Sequence, residues 1–318
     1  MEDSGLNYWL KWQVPVCALV IILPTIIASY LLSKVQKPNL NTSDLWIPCW
    51  KSLSPIWLLI YRALVFSFMI WLLCLVASHE GKYVFYFYTQ WTFALVIFYF
   101  GLGTVISANG CWEYLKAPAK RNEERDEFLR TNPLGDQSTT TLSSIENKYG
   151  ETNTLTRYSE EEEAKKRAGF WGSLMQIIYQ ICAGAVMLTD IVFWCLLVPF
   201  QVGDNFRITK IIGGMHSLNL VFLVLDTALN RLPFPWFRMV YFVFWSATYI
   251  AFQWIIHLCG VSWWPYPFLE LSTPWAPMWY LGVALVHIPC YAFYVLITKS
   301  KDQVFSKMFP RAYLRSSS

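Results

Sequence analysis

Seven stretches of the chain stay apolar for twenty residues or more, at about 12–32, 56–78, 84–109, 170–198, 211–230, 235–259 and 277–298. A bilayer core of roughly 30 Å is crossed by about 20 residues of helix, so each stretch has the length of a transmembrane span. Their hydrophobicity is nearly continuous, whereas barrel strands alternate over about 10 residues, so the spans are expected to be helices. The fourth stretch exceeds what one crossing needs; it is expected to tilt or to end in an interfacial turn before Pro199. The pattern predicts an all-α, polytopic integral membrane bundle of about seven helices. It divides into a short segment 1–11, membrane helices one to three in 12–109, a loop 110–168, membrane helices four to seven in 169–298, and a tail 299–318.

Composition reinforces this pattern. Apolar residues make up 55% of the 318 residues and charged residues 14%. Of the 46 charged side chains, 22 fall between Gly110 and Ala168, which leaves 24 for the other 259 residues. So thin a charge cover cannot solvate a globular surface, which excludes a soluble enzyme, a disordered protein and a nucleic-acid binder.

The basic residues orient the spans. With seven crossings, 20 Lys and Arg residues fall on the side that holds the 110–168 loop and the tail, and four (Lys11, Lys82, Arg207, Lys210) on the other. By the positive-inside rule the loop and C-terminus are expected in the cytosol and the N-terminus in the lumen or outside the cell. The first stretch lacks a basic n-region, so it is read as a retained helix rather than a cleaved signal. The sequon Asn41-Thr42-Ser43 then lies on the cytosolic side and stays unglycosylated.

The 110–168 loop is rich in Ser, Thr, Glu, Lys and Asn, most biased at 137–144 and 160–163, and is expected to be largely disordered. It is the place where protein partners and phosphorylation would act. The eight cysteines form no CxxC pair and read as packing residues, with Cys49 and Cys111 the positions that palmitoylation would take.

Ionisable residues inside spans are expensive and therefore candidates for function. They are Arg62, Asp190, Asp226, His216, His257 and His287, with His79 and Glu270 at the boundary. Counting 1.5 Å per residue from the span ends puts Thr89 and His216 about 7–8 Å inside the non-cytosolic face. His257, Asp190, His79 and Glu270 fall near the same level, while Asp226 lies roughly 15 Å deeper than His216 and Arg62 near the cytosolic face. There is no GxSxG, HExxH, P-loop or GxGxxG motif, and no cofactor or metal ligand set is read from the sequence. A threonine hydroxyl becomes nucleophilic when a base removes its proton, and histidine is the usual base near neutral pH, so Thr89 with His216 is the pair on offer.

The segments Met215-His216-Ser217, Leu229-Asn230-Arg231 with Pro235, Trp254…His257…Gly260 and Tyr266-Pro267-Phe268-Leu269-Glu270 resemble the androgen-induced protein family. Its members include membrane hydrolases that cleave fatty acid esters of hydroxy fatty acids. The span around Arg62 and the segment Tyr88-Thr89-Gln90-Trp91 also resemble the rolling stone proteins, implicated in myoblast fusion. The resemblance covers about 56–298. It places the catalytic histidine at His216 and the threonine nucleophile at Thr89, where Gly101 keeps its spacing of twelve, with Thr92 as the fallback. The added N-terminal helix, the longer cytosolic loop and the Gln-Trp after Thr89 depart from the hydrolase pattern.

Three functions follow as expectations. The first is an intramembrane lipid esterase in which Thr89 attacks, His216 carries the proton, and Asp190, His257 or Glu270 supports the histidine. The second is a non-enzymatic protein of adhesion, fusion or scaffolding. The third is a metal-dependent lipid hydrolase using His79, His216 and His257. Membrane lipids are the expected partners, and the location is the endomembrane system or the plasma membrane.

Overall fold

The computed structural model describes residues 6–34, 40–131, 167–201 and 210–315. Among them the regular structure is helical, with only the isolated bridges Asn41↔Arg167 and Trp50↔Tyr313 besides. The long helices are α1 (Gln13–Lys34), α2 (Pro55–Glu80), α3 (Tyr88–Thr131), α4 (Phe170–Ile191), α5 (Lys210–Leu229), α6 (Met239–Leu258) and α7 (Ala276–Met308). A helix meets each apolar stretch. Ser54 starts α2 by accepting the Ile56 amide at 3.4 Å, with Pro55 in the first turn, where its missing N–H costs nothing.

Two helices outrun the apolar pattern. The third was expected to end at 109 and reaches Thr131, and the last was expected to end at 298 and reaches Met308. Hydropathy marks where a helix could leave a bilayer, but Lys, Glu, Arg and Gln are good helix formers and carry the helix onward. The expected loop therefore begins as helix. Residues 132–166, with the biased runs at 137–144 and 160–163, lie outside the described residues.

Six of the described helices are long and apolar enough to cross a membrane, and α5 contributes a shorter apolar stretch, Gly213–Leu229. Their outer faces expose Leu19, Ile26, Leu64, Trp71, Leu285 and Phe293, a surface that water would not tolerate but acyl chains would. The chain is an integral membrane protein.

At the centre stands α4, which packs against α3, α5, α6 and α7. Every residue from Cys182 to Asp190 is buried. Small residues make this crowding feasible, because without a hydrophobic drive inside lipid, helices associate by close contact. At Gly184 an added Cβ would come within 2.5 Å of the Phe242 ring on α6. Gly184→Ala is therefore expected to lower stability by about 1–3 kcal/mol through overpacking. Unfolding in detergent measures this, and an unchanged midpoint would mean that the Phe242 ring moves aside freely. By contrast α1 is peripheral, lying against α6 and α7 with most of its surface turned outward.

The Trp50 end of the bundle is tied tightly. The Cys49 amide donates to Leu229 O (2.8 Å), the Lys51 amide to Ala312 O (2.8 Å) and the Leu314 amide to Cys49 O (2.7 Å). Trp50 packs its ring on Phe305, Phe309 and Tyr313, and its indole donates to Ala228 O at 3.0 Å. All eight cysteines are free. Burial pushes the Cys49 thiol up to about 11, and it donates to Ala228 O instead of facing a membrane surface.

Inside this end Arg62 is fully buried. Its Nε donates to Asp226 Oδ1 at 2.9 Å, and its Nη1 to Leu45 O at 2.7 Å and Ser107 Oγ at 2.8 Å. Asp226 Oδ2 accepts from the Tyr99 hydroxyl at 2.5 Å and from Asn230 Nδ2 at 2.7 Å. Lys301 closes the C-terminus of α5 by donating to the carbonyls of Thr227 and Asn230, each at 3.0 Å, where the helix dipole favours a cation. These charges are satisfied, so Arg62 and Asp226 are structural.

Candidate functional site

Towards the opposite end, beside the start of α3, the helices part around a cavity that is partly open to the outside, about 550 Å³ when the open space at its mouth is counted. Thr89 of α3, His216 of α5, Ser246 of α6, His287 of α7 and the loop residue Tyr266 are among its polar lining, with Leu188, Val192, Ile250 and Phe268 among its apolar walls. Thus the two residues singled out by depth and chemistry, from helices more than a hundred residues apart in sequence, face one space.

Local structure explains how each arrives there. A 3₁₀ turn, Gly81–Tyr86, feeds the chain into α3, and the Tyr86 carbonyl accepts from the Tyr249 hydroxyl at 2.9 Å and Gln253 Nε2 at 2.6 Å. That clamp to α6 fixes the first turn of α3 and with it Thr89. Tyr266 lies just after α6, ahead of the 3₁₀ turn Pro267–Leu269, and its hydroxyl stands 3.2 Å from Thr89 Oγ1 and 3.4 Å from the Thr89 amide. Burial raises the Tyr266 phenol above its ordinary range, so it stays protonated and is a hydrogen-bonding group rather than a base.

His216 is buried, with its ring stacked face to face on Phe193 at 3.7 Å and 7°. Phe193 belongs to a π-helical turn, Val192–Leu197, that continues α4. A π turn carries an extra residue and re-aims the side chains on it, and such turns recur at functional sites. The fourth stretch does not end before Pro199 as expected; the helix runs on from the π turn through Val198–Gln201. Nδ1 of His216 is buried with no hydrogen-bond partner among the described residues. No hydrogen bond joins Thr89 to His216 among them; in this state Thr89 is held by Tyr266.

The other candidates are placed differently. Asp190 is buried beside the cavity-lining Thr189, and its Oδ1 has no hydrogen-bond partner among the described residues. Thr92, one turn beyond Thr89, is fully buried and is not on the cavity wall. His257 stacks on Trp264 at 3.6 Å, and its Nδ1 lies 2.7 Å from Gln253 O, off the cavity. Glu270 accepts from the Ser272 hydroxyl in the loop that follows Leu269. His79 is exposed at the end of α2. Among the described residues no three His, Cys, Asp or Glu side chains gather as a metal would require, so the His79, His216 and His257 set does not assemble.

Of the other polar residues on the cavity wall, His287 was a candidate from the sequence and Ser246 was not. His287 was visible as an ionisable residue within a span, but depth alone did not attach it to Thr89. Ser246 gave no signal, since a serine within a helix is usually ordinary packing. Phe193 and its π turn were likewise hidden in an apolar run.

The fold and this cavity define a helical membrane protein with hydroxyl and imidazole groups facing an apolar chamber. No family model, curated protein or solved structure matches the chain, so the family resemblance rests on the motif residues quoted above.

Proposed function

We propose that the chain is a seven-span membrane hydrolase of lipid esters, of the androgen-induced and rolling stone type, with its N-terminus lumenal or extracellular and its C-terminus cytosolic. The observation that carries this reading is that Thr89 and His216 line the same largely apolar cavity. In the proposed reaction the substrate carbonyl enters from the acyl-chain region and displaces Tyr266 from Thr89. Thr89 Oγ1 then attacks while His216 takes its proton through Nδ1, the nitrogen that now lacks a partner. His216 returns the proton to the leaving alcohol, and water, activated by the same base, releases the acid. Asp190, one residue from the cavity wall, is the nearest carboxylate in sequence to the π turn that backs His216.

The substrate class that fits is a fatty acid ester of a hydroxy fatty acid, apolar along its length and able to enter sideways from the leaflet. The test is release of free fatty acid from such an ester by the purified chain in lipid vesicles. Release above protein-free vesicles is expected, and its absence across a range of chain lengths sinks the enzyme reading.

One observation favours the second reading, a non-enzymatic membrane protein of adhesion, fusion or scaffolding. Thr89 is bonded to Tyr266 and not to His216, as a purely structural contact would be. That reading predicts vesicles that release nothing while the biological role survives changes at Thr89 and His216.

A further inference from the structure

The cavity holds a second hydroxyl–imidazole pair that the reaction above leaves unused. Ser246 lies twelve residues before the end of α6 at Leu258, and His287 eleven residues into α7 from Ala276. At 1.5 Å per residue both sit about 16–18 Å below the Tyr266 end, near the centre of a bilayer core of roughly 30 Å. Thr89 stands close by in the same chamber, at the first turn of α3, which packs on the middle of α6 through the ring pairs Tyr88–Tyr249 and Trp91–Trp245.

This second pair is already hydrogen-bonded. Ser246 Oγ is 2.8 Å from His287 Nε2 and 2.9 Å from the Tyr88 hydroxyl. His287 Nδ1 is 2.7 Å from Val283 O. A carbonyl only accepts, so Nδ1 carries the ring proton, and in the neutral ring Nε2 keeps its lone pair. Ser246 therefore donates to His287 and accepts from Tyr88. Phe242, one turn before Ser246 on α6, stacks on the imidazole at 4.5 Å and 27°, which fixes its plane. The room for Phe242 is the room left by Gly184.

A serine whose proton points at an imidazole lone pair, on a ring oriented by a fixed acceptor, has the geometry of an activated nucleophile. A bond that served only to hold α6 to α7 would need no open space beside it. Ser246, His287 and Tyr88 all line the cavity.

We infer that Ser246, with His287 as its base, is a second acyl-accepting site for long apolar esters that lack a charged headgroup, such as wax esters, whose carbonyl reaches the bilayer centre. The inference rests on the cavity admitting a lipid ester, not on Thr89 being reactive. The Ser246 proton passes to His287 Nε2 as Oγ bonds to the carbonyl carbon. The carbon–oxygen bond to the alcohol breaks, and the alcohol leaves with the proton from His287. Water, deprotonated by the same nitrogen, then attacks the acyl-serine, the acid departs, and the proton returns to Ser246.

The full chain in lipid vesicles is treated with a long-chain alkyl fluorophosphonate, and the adduct is located by peptide mass spectrometry. Phosphonylation breaks the P–F bond and releases fluoride while His287 takes the serine proton. The expected adduct is on Ser246, in the wild type and equally in Thr89→Ala. His287→Gln, which keeps a polar group beside Ser246 but no base, is expected to slow labelling by about a hundredfold with an unchanged unfolding midpoint. An adduct on Thr89 alone overturns the second site and leaves the proposed hydrolase standing. An unlabelled chain that still hydrolyses its ester does the same. Labelling of Ser246 in a chain that hydrolyses no hydroxy fatty acid ester supports the second site and sinks the Thr89 reaction. The wild-type map decides the matter even where a variant fails to fold.

Discussion

Arg62→Ala is expected to cost the bundle about 3–5 kcal/mol, because it strands a buried carboxylate. Arg62 and Asp226 are both fully buried and ion-paired, Nε 2.9 Å from Oδ1 and Nη2 3.5 Å from Oδ2. Tyr99 and Asn230 would still donate to Asp226 Oδ2, but neutral donors do not balance a charge removed from water. The loss should fall on the Trp50 end, where Arg62 also holds the Leu45 carbonyl and Ser107. Adding Asp226→Asn to Arg62→Ala should recover part of the stability, since the stranded charge is then gone. Unfolding in detergent, read for both single variants and the pair, measures the coupling. Strict additivity would show that the ion pair contributes nothing of its own.

Thr89→Ala should reduce ester hydrolysis to the protein-free rate, and His216→Ala should lower it by about 10²–10⁴-fold, the usual worth of a general base. Removing the Thr89 side chain takes away one hydrogen bond, that to Tyr266, so the fold should lose only about 1 kcal/mol. His216 gives no hydrogen bond from Nδ1 among the described residues, although it does stack on Phe193, so its removal costs packing rather than a bond network. A large fall in activity with a small fall in stability is therefore the signature of a site. The double variant is informative. If Thr89 and His216 act as a unit, it should be no slower than Thr89→Ala alone. A Thr89→Ala enzyme with wild-type turnover would remove Thr89 from the chemistry outright.

The helices were legible because bilayer thickness imposes a length on every apolar run, and that constraint is local in sequence. Rise per residue likewise converts position within a span into an expected distance from a face. That is why Thr89 and His216 could be matched before any geometry was known. What the pattern could not supply is rotation. Whether a residue faces a neighbour, a cavity or lipid depends on how helices pack, so Thr92, the fallback nucleophile, and His257, a supporting group, shared the expected level of Thr89 but do not line the chamber. Ser246 is the sharper omission. Its chemistry comes wholly from His287 on another helix and Tyr88 on a third, and neither partner is encoded near it. The π turn carrying Phe193 left a single trace, a fourth run too long for one crossing.

The backbone bonds that join Cys49 to Leu229 and Leu314, and Lys51 to Ala312, give the bundle a fulcrum. From Lys301 to Ala276, α7 extends as a lever of about 37 Å at 1.5 Å per residue. A rotation of a few degrees at the fixed end thus moves the far end by a few ångströms, while the pivot hardly shifts. Pro289 interrupts the hydrogen-bond ladder partway along that lever, two residues past His287, and gives the arm a second joint beside the chamber. The molecule is thus joined by backbone bonds where its charges are neutralised, and by side-chain hydroxyls, Tyr249 on Tyr86 and Thr89 on Tyr266, where its cavity opens.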